Sequence, residues 1–457
     1  MEQNNDSFGS KIGAVLVAAG SAIGLGSIWR FPYIAGENGG GAFVLLYLIC
    51  VLILGIPVML AEFSLGRGTG LDTVGAFKRL TPSKPWWGIG VISLLASYMI
   101  TCFYMVVAAW TMHYLWGSID GSLYAGLTEG MSALEMKDVF TGRFADFVGS
   151  AWSPMLWIVI VLAVNMFILL KGVKSGIERM SNALMPLLFV ILLGFCVVSL
   201  TLPKANEGLA FFLNPDFSAI TPSVVIRALG QAFFSLSLGM GVLITYGSYF
   251  PRDTRLIKTS VSVSTSVIFV AVMMGVIIFP AVTSFGLQDA TLNGPTLVFA
   301  TLPQVFAQLP APQLWSTLFF LLLTLAAVTS TISIAEVSIA FMQEFFKLSR
   351  KAACLVVLLP LLVFSTVCSL SLGSLSDFTV FGLTIFDLLD YTTANILLPV
   401  CSILLCVYVG WFAPKKFLKN ELTNNGEFKS ATFRFIVFVI RYIAPVLITG
   451  IIVYSFL

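Results

Sequence analysis

The sequence predicts an all-α membrane protein with eleven transmembrane helices, and three observations support this fold class. The 457 residues are 58% hydrophobic, and only 10% are charged. The mean hydropathy is +0.97, whereas soluble domains carry roughly a quarter charged residues. Runs of about 20 apolar residues, enough to cross the hydrocarbon as a helix, recur along nearly the whole length. We therefore expect a single transmembrane domain over residues 1–457.

Each helix is placed by an apolar run that ends at polar or helix-breaking residues. The eleven runs lie at 11–37, 41–66, 88–117, 153–171, 181–202, 226–249, 259–285, 313–347, 351–371, 385–411 and 431–456. The first ten predict two five-helix repeats, over 11–202 and 226–411, followed by an eleventh helix over 431–456. The residues before Lys11 lack the basic start and cleavage site of a removable signal peptide.

The distribution of lysine and arginine predicts the orientation. Of the 25 Lys and Arg residues, all but six fall on one side of the predicted helices. The six exceptions are Arg30, Lys137, Arg143, Lys204, Arg227 and Arg441. The basic side marks the cytoplasm, so we predict a cell (inner) membrane protein with its N-terminus inside. With an odd number of crossings, the C-terminus is predicted outside.

Composition excludes several classes of enzyme. The single histidine, His113, excludes a histidine-based metal or catalytic cluster. The seven cysteines mostly lie inside apolar runs and indicate small buried hydrophobic residues, not disulfides or a metal site. The net charge of +3 follows the topology and gives no indication of nucleic-acid binding. We expect a protein that is not an enzyme.

The first and sixth crossings carry helix-breaking residues at mid-span. The stretch "GSAIGLGSI" contains Gly24-Leu25-Gly26 after Ser21, and "FFSLSLGMGVL" contains Gly239-Met240-Gly241 after Ser235 and Ser237. Unwound backbone in a bilayer is tolerated only where it lines a cavity. There, freed carbonyl groups can bind a cation and a half-helix N-terminus can hold an anion. A small-residue packing face is the alternative for either helix alone, but the matched positions indicate two inverted repeats with discontinuous helices.

Longer motifs around these breaks resemble a known family. They are "AAGSAIGLGSIWRFPYIAGENGGGAFVLLYL", "GIPVMLAEFSLGR", "GQAFFSLSLGMGVLITYGSY", "TSTISIAEVSIAFMQE" and "FDLLDYTTANILLP". From about Lys11 to the end, the chain resembles the neurotransmitter:sodium symporter family, whose bacterial members have the LeuT-type fold. The resemblance implies a 5+5 inverted repeat with discontinuous helices 1 and 6, and sodium-coupled transport by alternating access.

The resemblance implies a sodium site between helices 1 and 8. Its ligands would be the carbonyl groups of Gly20, Ile23 and Ala326 and the hydroxyl groups of Thr329 and Ser330. Neutral oxygen atoms of this kind replace the hydration shell of a hard cation without adding charge. The hydroxyl cluster "AAVTSTIS" can also be explained by bonds to its own helix. The matched helix 1 motif favours the sodium site.

The other sodium site of the family differs in this chain. The resemblance would build it from Ala22, Ser27, Ser235 and, on helix 7, Ser266 or Val267 according to a one-residue register choice. Ser27 occupies a position where the family has an asparagine, and a serine hydroxyl reaches less far. We predict at least one Na⁺ held firmly and a first site that is weak or absent.

Chloride dependence is left open by the sequence. The helix 7 acid of chloride-independent relatives is missing, and Val270 and Ala271 lie near its position. Tyr47, Gln231 and Ser235 of the chloride-site pattern are present.

The resemblance also implies an amino-acid pocket. Gly24 lies where amine transporters of the family have an aspartate, so the site resembles those that bind amino acids. The substrate carboxylate would face Leu25, Gly26 and Tyr104. The substrate ammonium group would face the Ala22 and Phe234 carbonyls and hydroxyl groups such as that of Ser237. The remaining residues of the predicted pocket are Ser21, Ile100, Ser235, Met240, Ser330 and Ile334. Mostly apolar walls predict a neutral hydrophobic substrate, although Tyr104 could also be an ordinary core residue.

The outer gate implied by the resemblance pairs Arg30 with Asp390 above Phe234. Charges inside a bilayer are costly, so both are expected to face water or each other, with snorkelling as the alternative for Arg30. Glu62 matches the family carboxylate that caps the unwound amides of helix 6. Burial would favour its protonated form.

The inner gate departs from the family pattern. Asn5 replaces an arginine before helix 1, Phe8 supplies the following aromatic ring, and Lys11 is the nearest cation. Glu344 is the expected acidic partner on helix 8, with Tyr249 and Ser248 beside it. Closure of the inner gate is therefore expected to be weaker than in the family, or to use Lys11 in place of the missing arginine. The spacing from Gly176 to Pro186 resembles a helix 5 element that unwinds to hydrate the sodium ion.

The sequence therefore predicts a sodium-coupled symporter that imports neutral, hydrophobic L-amino acids. A non-transporting amino-acid sensor on the same fold is the alternative. An intramembrane hydrolase would need a nucleophile–base pair or a metal, and the single histidine and scattered cysteines argue against it. A channel would need rings of polar residues along one path, and the sequence shows no such pattern. The expected partners are the amino acid, Na⁺ and the lipid bilayer.

Overall fold

The protein, described by a computed structural model, is built almost wholly from helices. The structure describes residues 7–128, 131–287, 294–427 and 432–455. The membrane-embedded and connecting helices of the first half are α1 Lys11–Ala22, α2 Gly26–Glu37, α3 Gly41–Thr69, α4 Thr73–Leu80, α5 Trp87–Ile119, α6 Ala133–Gly149, α7 Ser153–Leu170, α8 Val173–Leu200 and α9 Ala205–Leu213. Those of the second half are α10 Pro222–Ser235, α11 Val242–Ser248, α12 Leu256–Ser284, α13 294–307, α14 Pro312–Phe345, α15 Arg350–Leu370, α16 Ile385–Phe412, α17 Phe417–Thr423 and α18 Phe433–Val453.

Nine helices in these described ranges are long and apolar enough to cross a bilayer. A tenth crossing results if α1 and α2, which meet at a 53° bend, are one broken span. The sixth predicted crossing corresponds to α10 and α11, of 14 and 7 residues. The all-α membrane fold is confirmed, whereas the count of eleven crossings and the repeat boundaries stay predictions.

Both predicted interruptions are present. The first separates α1 from α2 around Ile23 and Gly24. The second lies between Ser235 and Val242, where Ser237, Gly239 and Gly241 have φ of 54°, 79° and 74°. These positive φ values favour glycine and are incompatible with a continuous right-handed helix. Helices 1 and 6 are therefore discontinuous, as the sequence predicts.

The centre of the molecule is formed by α14 packed along α5. In the most apolar part of α14, 89% of the residues are buried, against 33% in α7. A helix that is apolar on all sides and almost wholly covered lies inside the bundle, whereas α7 faces the surroundings. Helix α1 contacts α8, α12 and α14. The break after α1 therefore lies in the interior.

Candidate functional site

The break after α1 redirects two backbone amides. In an unbroken helix, the Gly24 and Leu25 N–H groups would donate to the carbonyls of Gly20 and Ser21. The Gly24 amide instead donates to the Ala22 carbonyl, at 3.0 Å. The Leu25 amide donates to the Tyr104 hydroxyl on α5, at 2.8 Å. The Gly20 and Ser21 carbonyls are thereby released from their usual helical partners.

Gly24 lies between two hydroxyl groups. A Cβ atom at this position would be 2.4 Å from Ser330 Oγ and 2.6 Å from Tyr104 Oη. Real Cβ atoms do not approach other atoms so closely, so any larger residue here would have to displace one or both hydroxyl groups. The contact also brings α1, α5 and α14 together at one point.

The predicted sodium ligands lie on α1 and α14, two helices that contact each other. Ser330 Oγ reaches across to the Ser21 carbonyl at 3.4 Å. Thr329 Oγ1 donates to the Ala326 carbonyl of its own helix at 3.0 Å, the alternative use of such hydroxyls. Ile23 is fully buried, and Gly20 faces Met185 of α8. The oxygens are all neutral and suit a hard monovalent cation.

The first-site residues are not all brought together. Ser27 is fully buried, and its hydroxyl has no hydrogen-bond partner in the described parts of the chain. Ser235 Oγ lies 3.0 Å from the Tyr47 hydroxyl. Ser266, however, is half-buried on α12 and donates to the Ser262 carbonyl at 2.9 Å. Its neighbour Val267 is fully buried instead. Val267 therefore faces the interior and Ser266 bonds within its own helix, and the choice between them as a first-site residue stays a prediction.

Gln231 connects the two broken helices. Its Nε2 donates to the Gly26 carbonyl at 2.8 Å. Its Oε1 is buried without a partner among the described residues. Gln231, Tyr47 and Ser235 of the chloride pattern therefore lie on adjoining elements, and one acceptor there is unsatisfied.

The predicted pocket walls are buried. Ile100, Met240 and Ile334 are each less than 5% exposed, whereas Phe234 is half-buried. Ser237 Oγ donates to the Ser21 carbonyl at 3.4 Å. The walls are apolar around a small set of hydroxyl and carbonyl groups.

The outer gate differs from the predicted ion pair. The Arg30 guanidinium lies over the Phe234 ring, 4.4 Å from its centroid. Among the described residues, Arg30 makes no direct ion pair with Asp390, and its Nε has no hydrogen-bond partner. The predicted Arg30–Asp390 contact is therefore replaced here by a cation–π contact.

Glu62 contacts the unwound part of helix 6. Its Oε1 accepts from the Gly239 amide at 2.8 Å, and the side chain is fully buried. Its Oε2 has no partner among the described residues. Thr73, just beyond α3, donates from Oγ1 to the Gly241 carbonyl at 3.1 Å. The middle and the far end of the unwound segment are thus bonded to Glu62 of α3 and to Thr73 at the start of α4.

The inner side uses an acid that the sequence analysis did not single out. The Tyr249 hydroxyl donates to Glu336 Oε1 at 2.8 Å. Arg350 donates to both Glu336 oxygens, at 2.7 and 2.6 Å. Glu344 instead accepts from the Asp72 amide at 2.8 Å. Tyr249 and Glu344 are therefore not direct partners. The signal in the sequence was Glu336, an acidic residue inside the apolar part of α14.

The start of α1 is held by a second missed acid. Glu178, in the first turns of α8, accepts from the Gly9 amide at 2.6 Å and from the Ser10 amide at 3.1 Å and hydroxyl at 3.0 Å. Lys11 pairs with Asp253 at 2.5 Å, but both side chains are about two-thirds exposed. Hydrogen bonding to Lys11 lowers the pKa of Asp253.

Aromatic packing closes the same region. The Phe8 ring meets Tyr246, Tyr249 and Phe250, each with centroids 5.9 Å apart. The Phe8 amide donates to the Tyr249 carbonyl at 3.1 Å. Asn5 lies outside the described residues.

Broken helices that present carbonyls, hydroxyls and a half-helix N-terminus in the core define a secondary transporter with a LeuT-type fold. The chain belongs to the sodium:neurotransmitter symporter family, whose profile matches residues 5–127 and 132–457. It is a sodium-dependent, multi-pass membrane transporter and not an enzyme.

Relatives and a solved structure agree with this assignment. An uncharacterized sodium-dependent transporter of Haemophilus influenzae is 37% identical, covering 98% of this chain and 99% of the relative. The uncharacterized sodium-dependent transporter YhdH of Bacillus subtilis is 36% identical, covering 98% and 97%. The crystal structure of MhsT in complex with L-phenylalanine matches with a TM-score of 0.89 and 39% identity, covering 98% of this chain and 99% of that one.

Proposed function

We propose that this protein imports neutral L-amino acids with apolar side chains, coupled to Na⁺. The observation that carries the proposal is Gly24, which supplies no carboxylate to pair with an amine substrate and whose side-chain position is taken by the Ser330 and Tyr104 hydroxyls. The buried apolar walls at Ile100, Met240 and Ile334 favour an apolar side chain. The solved relative MhsT was crystallised with such an amino acid.

The substrate carboxylate is assigned to the start of α2. Tyr104 already accepts from the Leu25 amide, so its own phenolic proton is available to a carboxylate. A half-helix N-terminus adds favourable electrostatics for an anion. The ammonium group is assigned to carbonyls at the ends of α1 and α10, including those of Ala22 and Phe234. A zwitterion thereby meets donors at one end and acceptors at the other.

The transported Na⁺ is assigned to Gly20, Ile23, Ala326, Thr329 and Ser330. These residues lie on α1, the break after it and α14, so an ion held by them stabilises the state in which the two helices adjoin. A ligand shifts a conformational equilibrium by its differential affinity for the two states. Sodium binding would therefore favour the arrangement that also forms the substrate pocket.

The direct test is uptake of labelled L-phenylalanine and L-leucine into proteoliposomes with an inward sodium gradient. We expect uptake with sodium and none when choline replaces it. Thr329→Ala should raise the half-saturating sodium concentration about tenfold, equivalent to ~1.4 kcal/mol. Ser316→Ala is the matched control, because Ser316 bonds to the Pro312 carbonyl near the far end of the same helix. Equal effects of both variants, or sodium-independent uptake, would contradict the proposal.

We also propose that one sodium ion is coupled per substrate. Ser27 is shorter than the family asparagine, and the buried helix 7 position is Val267. The remaining first-site oxygens are too few for a second firmly held cation. The sodium activation curve of uptake is expected to have a Hill coefficient near one. A coefficient clearly near two would overturn this stoichiometry without affecting the substrate assignment.

A further inference from the structure

A groove lies at one end of the bundle, between the start of α5 and the end of α16. It has a volume of about 410 Å³. Its lining includes Lys84, Trp86, Gly88, Ile92, Leu404 and Phe412. Apart from the lysine, these side chains offer only apolar or aromatic surface. The groove is separate from the broken helices that form the transport site.

Aromatic residues place the mouth of this groove at a membrane interface. Trp86 packs on Phe412 and Tyr408, with centroids 4.6 and 5.4 Å apart. Trp87 and Trp411 beside it are 45% and 54% exposed. Exposed tryptophans at helix ends are typical of the headgroup level. At about 1.5 Å per residue, Ile92 lies roughly 7–8 Å further into the hydrocarbon than Trp87.

Lys84 lies at the mouth of the groove, and two further lysines follow Phe412 closely in the chain. The Lys84 ammonium lies 5.9 Å from the Phe412 ring centroid. Lys415 and Lys416 follow Phe412 in the chain, and all three lysines are exposed. None of them forms an ion pair with a carboxylate of the described residues. Unpaired basic groups above an apolar groove complement an anionic headgroup that carries an acyl chain.

Gly88 keeps the groove open. A Cβ atom at Gly88 would meet no other atom within 4 Å. Glycine is a poor helix former, and no close packing in the protein explains it here. A side chain at this position would therefore extend into the groove and occupy it without displacing protein atoms.

We propose that this groove binds a phospholipid with an anionic headgroup. Its phosphate lies against Lys84, with Lys415 and Lys416 nearby, and one acyl chain runs past Gly88 towards Ile92 and Leu404. The lipid comes from the leaflet on the side that the basic loops assign to the cytoplasm. It joins the ends of α5 and α16, which belong to different halves of the fold.

The test is native mass spectrometry of the purified full-length protein titrated with phosphatidylglycerol or phosphatidylcholine of identical acyl chains. We expect the tightest bound phosphatidylglycerol to have at least fivefold higher affinity than phosphatidylcholine. Lys84→Gln should remove this preference, and Gly88→Leu should remove the tight site for both lipids. The matched controls are Lys258→Gln, an exposed lysine at the start of α12, and Gly194→Leu, at another glycine with open space around it.

Thermal unfolding of each variant without added lipid shows whether the fold is intact. If Gly88→Leu fails to fold, Lys84→Gln, which changes an exposed side chain, still tests whether the groove prefers the anionic lipid. Equal affinity of the wild type for both lipids would overturn the proposal. An unchanged preference in Lys84→Gln, or a preference lost equally in Lys258→Gln, would overturn it too.

Discussion

Gly24 is the residue at which three helices approach most closely around the candidate site. The Ser330 and Tyr104 hydroxyls lie where its side chain would be. Because one hydroxyl belongs to the predicted sodium site and the other to the predicted carboxylate site, any added atom disturbs both. The backbone itself must therefore line the pocket here.

Gly24→Ala is expected to weaken sodium-dependent binding of labelled L-phenylalanine. Overpacking costs about 1–3 kcal/mol, which corresponds to roughly five- to 150-fold in affinity. Gly194→Ala is the control, because a methyl group there meets no atom within 4 Å. Scintillation-proximity binding with and without sodium measures the effect. Unchanged binding in Gly24→Ala would remove Gly24 from the pocket.

Some residues of the candidate site could be predicted from the sequence, and others could not. Ser330 and Glu62 could be chosen because they lie in motifs that resemble the family, whereas Tyr104 lies in an ordinary apolar stretch and depended on the family position alone. The helix 7 position could not be decided between Ser266 and Val267, because a one-residue shift moves a helical side chain by about 100° and no polar neighbour fixed the register. Glu336 was missed, because its partner Arg350 is on another helix and sequence alone does not show which charges meet.

At the scale of elements, the first turn of α1 depends on α8. Glu178 is 4% exposed and bonds the amides of Gly9 and Ser10, near the positive end of the helix dipole. A Cβ atom at Gly13 would be 1.9 Å from Glu178 Oε1, so glycine is required for this approach. Closure at this end is thus achieved by a carboxylate on α8, with Lys11 contributing only an exposed pair.

Glu178→Gln is expected to loosen α1 and favour inward opening. A charge at a helix N-terminus contributes about 0.3–2 kcal/mol, so the half-saturating sodium concentration should rise roughly two- to 30-fold. Asp253→Asn removes the exposed partner of Lys11 and should change it less than about twofold. Sodium-dependent uptake in proteoliposomes compares the two variants. The reverse order of effects would assign inner closure to Lys11.

Helix boundaries were predictable where hydrophobicity determines them. The predicted 88–117 and 351–371 agree closely with Trp87–Ile119 and Arg350–Leu370. The fifth predicted helix began at 181, whereas α8 begins at Val173. The polar stretch "KGVKSGIERM" resembles a loop, but residues from Val173 onwards in it are helical, and Glu178 also bonds to the start of α1. Composition alone does not show either feature.

At the scale of the whole molecule, the orientation stays a prediction. A C-terminal fusion to alkaline phosphatase, which is active only after export, is expected to be active, and a C-terminal green fluorescent protein dark. The same reporters fused after Lys416, in a loop rich in lysine, should give the opposite result. A C-terminal fusion with inactive phosphatase and bright green fluorescent protein would contradict an outside C-terminus.

Long-range pairs that hold the whole molecule together could not be predicted. Arg67 at the end of α3 is 3% exposed and bonds Glu421 Oε2 at 2.8 Å and Asn424 Oδ1 at 3.0 Å. These partners are more than 350 residues apart in the chain. The sequence contains the charges, but their pairing depends on how α17 folds back beneath the bundle.

The close union of α3 and α11 limits how the transporter can move. A Cβ atom at Gly66 would be 1.9 Å from the Ile244 carbonyl oxygen, so the two backbones nearly touch. Glu62 and Thr73 also bond the unwound segment before α11, at Gly239 and Gly241. Sliding of α3 past α11 would break all of these contacts at once. The two helices are therefore expected to travel as one rigid body during each transport cycle.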